Sequence, residues 1–185
     1  CDLASLAAVR AFGASLQHVD FDVLVNNAGV VRQAFTRTAD GFETTWAVNH
    51  LAPFLLTSQL LAGLLRRPAA RVVNVSSMGH RAGRIHFDDP NLERRFDGIG
   101  AYCQSKWANV LFTRELARRT RGSSLVTHSL HPGVVRTKLL DQTGFGNQPA
   151  ETPAMGARAS VYVATAADAG TSSGDYFVGQ RREAA

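Results

Sequence analysis

Short apolar runs rich in β-branched residues alternate along the chain with longer segments whose apolar residues recur every three or four positions. The short runs predict strands at 21–25, 71–77, 124–130 and 174–178, and the longer segments predict helices at 5–19, 38–67, 101–120 and 152–167. Strands that alternate with helices are typical of a parallel sheet covered on both faces. A chain of 185 residues is long enough to bury one such core. The pattern therefore predicts a single α/β domain over residues 1–185, with a doubly wound parallel sheet.

Two of the predicted helices carry clear start signals, and one carries an internal break. Ser5 and Thr152 are good N-cap residues, and Pro153 suits the first position of a helix. Pro53 lies inside the 38–67 helix and has no N–H to donate to the carbonyl of Asn49, four residues earlier. We therefore expect a kink at Asn49, whose main-chain carbonyl is left free to hold something else, such as a water.

Small and polar residues follow each of the first three predicted strands. Asn26-Asn27-Ala28-Gly29 follows the first strand, Ser76 and Ser77 end the second, and His131-Pro132-Gly133 follows the third. The carboxyl ends of parallel strands meet at one edge of a sheet, where ligand crevices form. The sequence therefore predicts a ligand site at this edge.

Tyr102 and Lys106 are four residues apart in a predicted helix, so they lie on one face of it, one turn from each other. A phenol ionises near pH ~10 and is a poor base at neutral pH. A nearby ammonium favours the phenolate and lowers the pKa of the tyrosine. A tyrosine tuned in this way can take a proton from an alcohol or give one to a carbonyl.

Charge and cysteine content narrow the class of protein. The net charge is +5, but the basic residues are scattered in short pairs, which is typical of a solvated surface and not of a nucleic-acid face. Two cysteines, Cys1 and Cys103, provide neither a disulfide framework nor a metal-binding spacing, which suits a reducing, cytoplasmic location. The longest apolar run, Leu51 to Leu65, is too short to span a bilayer.

Together these residues resemble the motifs of the short-chain dehydrogenase/reductase family, in the family's order and over nearly the whole chain. The matching residues are Asp2-Leu3, Asn26-Asn27-Ala28-Gly29, Asn49, Ser77, Tyr102 with Lys106, and Pro132-Gly133 with Thr137; Ser76 is the less favoured neighbour of Ser77. Residues 102–116 and 131–137 are most similar to the retinol-dehydrogenase-like group. The long gap between Ser77 and Tyr102 also resembles an insertion of that group.

The resemblance implies a Rossmann-like fold and an NAD(P)-dependent oxidoreductase that acts on an alcohol or carbonyl group. Ser77 would hold the substrate oxygen and Tyr102 would exchange the proton. Lys106 would lower the pKa of Tyr102 and hold the nicotinamide ribose, and Asn49 would fix a relay water. The residues expected at the cofactor, with NADP favoured over NAD, are Asp2, Leu3, Asn26, Ala28, Gly29, Tyr102, Lys106, Pro132, Gly133, Val135 and Thr137.

The loop at 138–151 is a candidate lid, and its apolar residues Leu139, Leu140 and Phe145 favour a lipophilic substrate. The resemblance further implies a homo-oligomer formed through the 38–67 and 101–120 helices.

The Gly-rich turn of the family, Gly-x-x-x-Gly-x-Gly, does not occur in this sequence. Strands 1–3 of the family's sheet are likewise missing, so the Val23–Val25 strand is expected to be an exposed apolar edge. We interpret the chain as a truncated copy of a longer protein; a short form completed by another chain, and a degenerate inactive fragment, are the alternatives.

Two other functions compete with the oxidoreductase. The first is a non-catalytic binding or scaffold module that reuses the fold. The second is hydrolysis through Ser76 or Ser77, which lacks a Gly-x-Ser-x-Gly elbow and needs a histidine and an acid in reach. His80, His86 and His131 are expected at the surface or in loops, and no ligand spacing supports zinc.

Overall fold

A computed structural model describes residues 1–143 and 147–185 as one α/β unit built on a five-stranded sheet. The strands are β1 (Val23–Asn26), β2 (Arg71–Val75), β3 (Val126–His131), β4 (Tyr176–Val178) and β5 (Arg181–Glu183). The helices are α1 (Leu6–Ser15), α2 (Thr44–Trp46), α3 (Ala52–Leu64), α4 (Gly98–Arg119), α5 (Lys138–Gln142) and α6 (Pro153–Thr165). A π-helical segment, Ala47–Leu51, joins α2 to α3, and 3₁₀ turns occupy Met78–Ala82 and Asp168–Thr171.

The strands lie side by side in chain order, and β1 to β4 are parallel. The register aligns Asn26 with Asn74, and Asn74 with Ser129, so the first three strands end at the same edge. The last strand, β5, is antiparallel to β4 and was not predicted from the sequence. Its three residues are all charged, so no apolar pattern marks it as a strand.

Two apolar clusters cover the two faces of the sheet, as the doubly wound pattern predicts. Val72 of β2 packs in one cluster with residues of α1, α3 and α4, including Val9, Leu60 and Leu116. Its neighbour Val73 faces the other way and packs with Val163 of α6. Because successive strand residues point to opposite faces, a fully apolar strand such as β2 requires this two-sided cover.

The expectation of an apolar edge at β1 is confirmed. This strand pairs only with β2 in the described sheet, and Val23 and Val25 are 37% and 40% exposed. An unpaired strand with exposed valines is a surface on which another strand can add.

The predicted 38–67 helix begins later and ends earlier than expected. Residues 38–43 form a turn, and the helix starts at Thr44 because the Glu43 carboxylate accepts hydrogen bonds from the N–H groups of Thr45 and Trp46 at 2.8 and 2.7 Å. Regular α-helical geometry breaks at the π-helical segment that contains Asn49, which confirms the distortion expected from Pro53.

The remaining boundaries agree with the sequence to within a few residues. Ser5 caps α1 and Thr152 caps α6, each through its hydroxyl, and Asp97 caps α4, which begins three residues before the expected start. Part of the expected lid is helical, in α5; Gly144, Phe145 and Gly146 lie outside the described residues. Within the described ranges, no helix is long and apolar enough to cross a membrane, and no cluster of potential metal ligands occurs.

Candidate active site

A cavity of about 950 Å³ opens at the carboxyl edge of the parallel strands. Its walls come from the segments that follow β1, β2 and β3, and from α4, α5 and α6. Nine of the predicted site residues line it: Ala28, Gly29, Ser77, Tyr102, Lys106, Pro132, Gly133, Val135 and Thr137. Residues from distant parts of the chain therefore meet at one site, as the strand ends predicted.

Helix α4 carries Tyr102 and Lys106 on the same face, one turn apart. The Lys106 Nζ lies 5.6 Å from the centroid of the Tyr102 ring and donates a hydrogen bond to the Val75 carbonyl oxygen at 2.9 Å. Both side chains are buried. The lysine is thus fixed between the end of β2 and the tyrosine.

Burial controls the ionisation of both groups. It lowers the pKa of Lys106 to about 8, so the amine is mainly protonated at neutral pH. It also raises the pKa of Tyr102, and the neighbouring Ser77 hydroxyl opposes this shift only in part. The net fall in this pKa that was expected beside Lys106 is therefore not found, because burial disfavours the phenolate by more.

The hydroxyls of the adjacent serines Ser76 and Ser77 have different hydrogen-bond partners. The Ser76 hydroxyl is buried and donates to the Lys106 carbonyl oxygen at 2.8 Å, so Ser76 ties β2 to α4. The Ser77 hydroxyl accepts from the Gly79 N–H at 3.1 Å and reaches Tyr102 in the cavity. Both serines line the cavity, but only the Ser77 hydroxyl is left to donate into it.

Asn49 does not line the cavity but holds its wall. Its side chain forms two hydrogen bonds with the Val30 backbone, at 2.8 Å to the N–H and 2.9 Å to the carbonyl, and Nδ2 also donates to the Ser105 hydroxyl at 3.0 Å. Ser105 in turn donates to the Tyr102 carbonyl oxygen at 2.7 Å. Asn49 thereby connects the segment after β1 to the turn of α4 that carries Tyr102.

The main-chain carbonyl of Asn49 is not left free, which corrects the expectation of a water-holding carbonyl. Asn109 of α4 donates to it through Nδ2 at 2.9 Å. The proline removed the helical donor as predicted, and a side chain from the neighbouring helix has taken its place.

Three residues expected at the cofactor lie elsewhere. The Asn26 side chain donates to Thr57 and Asn74 at 3.1 and 2.8 Å and so joins β1 to β2 and α3. Asp2 is exposed and accepts from the Ala4 N–H, while Leu3 packs against the cluster beneath α1 and α3. None of the three lines the cavity.

The Pro132-Gly133 turn is held by a short bridge between Val135 and Glu151. Gly133 has a φ of +95°, a backbone conformation that favours glycine. Val135 packs closely on α6, where a Cβ built on Gly156 would lie 2.4 Å from its Cγ2. The turn is therefore fixed against α6 at the cavity wall.

The cavity wall fits the nicotinamide and ribose end of a dinucleotide at one specific point. A Cβ built on Gly29 would lie 3.4 Å from both the Lys106 Nζ and the Asn49 Oδ1. Only a residue without a side chain leaves this ammonium accessible from the β1 side, which is what close approach of a ribose requires. Lys106, Gly29 and Tyr102 are the residues that would hold this group.

Sequence reasoning missed three polar side chains that have buried polar atoms, those of His80, His131 and Tyr176. His80 stacks on Trp107 with ring centroids 6.0 Å apart, and its Nδ1 bonds the Ser77 main-chain oxygen at 2.7 Å. His131 lines the cavity, and burial lowers its pKa to about 4. His80 lies in the connection after β2, as expected of a loop histidine, but it is buried; His131 instead ends β3, and His86 is exposed. The position of His131 at the end of β3 was the available signal.

The same contact weakens the hydrolase alternative. His80 bonds the main-chain oxygen of Ser77 and not its hydroxyl, so the histidine next to the serine is not placed to activate it as a nucleophile.

Comparison with known proteins agrees with this geometry. The short chain dehydrogenase family matches residues 1–147. Retinol dehydrogenase 13 of Homo sapiens is 42% identical over 99% of this chain, and retinol dehydrogenase 14 of Mus musculus is 45% identical over 95% of it. A crystal structure of an uncharacterised protein from Mycobacterium paratuberculosis is 37% identical, covers 98% of this chain and 64% of its own, and superposes with a TM-score of 0.77.

The chain therefore belongs to the short-chain dehydrogenase family and is most similar to the retinol-dehydrogenase-like group. It spans 60% of the human retinol dehydrogenase 13 and 57% of the mouse retinol dehydrogenase 14.

Proposed function

We propose that this chain carries the catalytic half of an NAD(P)-dependent oxidoreductase that interconverts an alcohol and a carbonyl, with Tyr102 as the proton donor and acceptor. One observation carries the proposal: the Ser77 and Tyr102 side chains both line a cavity beside the buried Lys106 amine, and the Ser77 hydroxyl draws the pKa of Tyr102 down. A bound substrate oxygen placed between the two hydroxyls would meet a hydrogen-bond donor and a proton source.

The protonation state of Tyr102 favours the reduction of a carbonyl over the oxidation of an alcohol. Because the pKa of Tyr102 is raised, the phenol keeps its proton at neutral pH and can donate it to a substrate oxygen. Ser77 would fix that oxygen, and Lys106 would hold the ribose and place a positive charge beside the phenol as it loses its proton. The nicotinamide, when bound, supplies or accepts the hydride.

A lipophilic substrate is the second part of the proposal. Apolar side chains make up much of the cavity wall, including Met78, Ile99, Leu139 and Leu140. Leu139 of α5 packs against the cluster that contains Tyr102, so the apolar wall reaches the reacting group. The names of the retinol dehydrogenase relatives point to the same substrate class. Phe145 lies outside the described residues.

We propose NADP as the preferred cofactor. A structure described as a gluconate 5-dehydrogenase from Beutenbergia cavernae, with NADP bound at low occupancy, is 25% identical and has a TM-score of 0.71 over 96% of this chain and 72% of its own. The net charge of +5 also favours the more anionic dinucleotide.

We further propose a homo-oligomer and a cytoplasmic location. Phe54 and Leu111, on the outer faces of α3 and α4, are 47% and 37% exposed, and Phe54 lies against Phe112 with ring centroids 5.2 Å apart. This apolar face suits a second copy of the chain. The location rests only on the two unpaired cysteines.

A binding module without activity is the second candidate. The fold by itself does not fix a function, and the exposed valines of β1 offer an edge on which a partner strand can add.

A titration followed by a turnover assay separates the two. NADPH and NADH are titrated against the 185-residue chain, with Trp46 and Trp107 fluorescence as the signal. Saturable binding, tighter for NADPH, is expected for the oxidoreductase, whereas no binding favours the second candidate. Turnover of a long-chain aldehyde by Tyr102→Phe is expected to fall about 100-fold or more with little change in stability. Tyr162→Phe, which changes a surface tyrosine on α6, is the matched control. A Tyr102→Phe rate close to that of the unchanged chain would refute the mechanism.

A further inference from the structure

Pro53 leaves the main-chain carbonyl of Asn49 without its helical donor, and the side chain that bonds this carbonyl has no part in the proposed function. Asn109 of α4 donates through Nδ2 to the Asn49 carbonyl oxygen at 2.9 Å, and both residues are buried. A buried carbonyl without a donor is costly, so this contact is needed to keep the π-helical segment in place.

The oxygen of the Asn109 side-chain amide also has a hydrogen-bond partner. Asn109 Oδ1 lies 3.1 Å from His50 Nδ1. Since the amide nitrogen is used on Asn49, the oxygen must accept, and His50 must carry its proton on Nδ1. His50 lies among Trp46, Phe54 and Phe112, with its ring centroid 4.7 Å from that of Trp46. His50, on the outer aromatic face, thus orients the Asn109 side chain. Asn109 in turn bonds Asn49 on the inner side.

We propose that Asn109, oriented by His50, is a positioning residue that sets the orientation of Asn49 and through it the wall of the active site. The π-helical segment contains one more residue per hydrogen-bonded turn than an α-helix. Loss of the Asn109 bond would let this segment rearrange and turn the Asn49 side chain away from Val30 and Ser105. The inference rests on the proposed function for its effect on turnover, but not for its effect on Asn49.

The direct test follows the Asn49 side-chain amide by NMR hydrogen exchange in the full chain. Its Nδ2 protons are committed to Val30 and Ser105, and the buried Gln104 side-chain amide, which donates to the Pro90 carbonyl oxygen at 2.9 Å, serves as an internal reference. In Asn109→Leu, protection of the Asn49 amide relative to the Gln104 amide is expected to fall about tenfold or more.

Two further variants separate the two bonds of Asn109. His50→Phe keeps the aromatic packing and removes only the Nδ1 donor, so a smaller loss of protection is expected. Asn109→Asp keeps the shape, and its carboxylate cannot donate to the Asn49 carbonyl. Its protonated form can, so protection of Asn49 is expected to return as the pH falls from about 8 to about 5.

The matched control is Thr113→Val, one turn further along α4. Its hydroxyl donates to the Asn109 carbonyl and accepts from Asn74, so the variant removes buried hydrogen bonds from α4 without touching Asn49. Unchanged Asn49 protection in Asn109→Leu, or an equal loss in Thr113→Val, would overturn the inference.

Turnover gives the second readout. In Asn109→Leu, kcat is expected to fall about 10- to 100-fold, because small misplacements of reacting groups are costly. Failure of the proposed function is recognised separately, since it would appear as an active Tyr102→Phe variant while the Asn49 exchange result stood unaffected.

Discussion

Asn49 holds Val30 by a pair of hydrogen bonds, accepting from its N–H at 2.8 Å and donating to its carbonyl at 2.9 Å. Val30 follows Asn27, Ala28 and Gly29, which form the β1 side of the cavity. A side chain of a distorted helix therefore fixes the backbone segment that a cofactor must approach.

Replacing Asn49 with alanine removes both bonds. Because the polar groups of Val30 lose their partners, we expect the free energy of unfolding to fall by about 2 kcal/mol. We also expect faster hydrogen exchange at the Val30 amide, measured by NMR beside urea unfolding. Ser58→Ala, which removes an exposed hydroxyl from α3, is the control and should change neither quantity appreciably. An unchanged exchange rate of the Val30 amide in Asn49→Ala would show that Asn49 does not fix the Val30 segment.

Lys106 makes the stability of the fold depend on pH in a defined direction. Its pKa is about 8 in the folded chain against an ordinary value of 10.5. Below about pH 8 both states keep the proton, and the folded state bears the cost of the buried charge. Between these two values the folded state releases its proton first, so the unfolded state binds more protons and stability rises with pH.

Relative to Lys106→Met, the free energy of unfolding of the unchanged chain should therefore increase by about 3 kcal/mol across that window. Urea unfolding at a series of pH values measures this difference. The reference is the difference in the free energy of unfolding between the unchanged chain and Lys138→Met, which changes an exposed lysine. A difference that stays flat, or falls with pH, would mean that the amine is not desolvated as described.

Gly29→Ala tests the approach to Lys106. The added Cβ would lie 3.4 Å from Lys106 Nζ, an ordinary contact that the fold tolerates but that blocks access from the β1 side. We expect NADPH affinity, measured by tryptophan fluorescence, to fall about tenfold or more with stability unchanged. Gly63→Ala is the control, because its Cβ meets only the end of Arg66 in α3, 3.7 Å away. Equal affinities for the two variants would place the cofactor elsewhere.

Phe54→Asp tests the proposed oligomer. A carboxylate on the aromatic face would have to be desolvated in an interface, whereas it is readily hydrated in a monomer. Sedimentation analysis should show a shift towards the monomer in this variant. Phe87→Asp, at an 89% exposed residue in the segment between β2 and α4, is the comparison and should leave assembly unchanged. An assembly that survives Phe54→Asp would place the interface on another face.

Local sequence patterns predicted several side chains that meet at the cavity. Helix periodicity placed Tyr102 and Lys106 on one face, and strand periodicity placed Ser77 at the end of β2. Pro53 likewise marked the break at Asn49, because a missing N–H is a property of the residue itself. The charged strand β5 was missed, since its pairing with β4 depends on the sheet and not on its own pattern.

The sequence by itself determined the parallel α/β arrangement and the residues that meet at the carboxyl end of the strands. Tertiary structure alone decided where their polar atoms point. Asn26 turned to Thr57 and Asn74, Asn109 took the Asn49 carbonyl, and the pKa of Tyr102 rose where a lysine partner suggested a fall. The physical reason is that periodicity fixes a side chain's face, whereas hydrogen-bond partners and desolvation depend on neighbours distant in sequence.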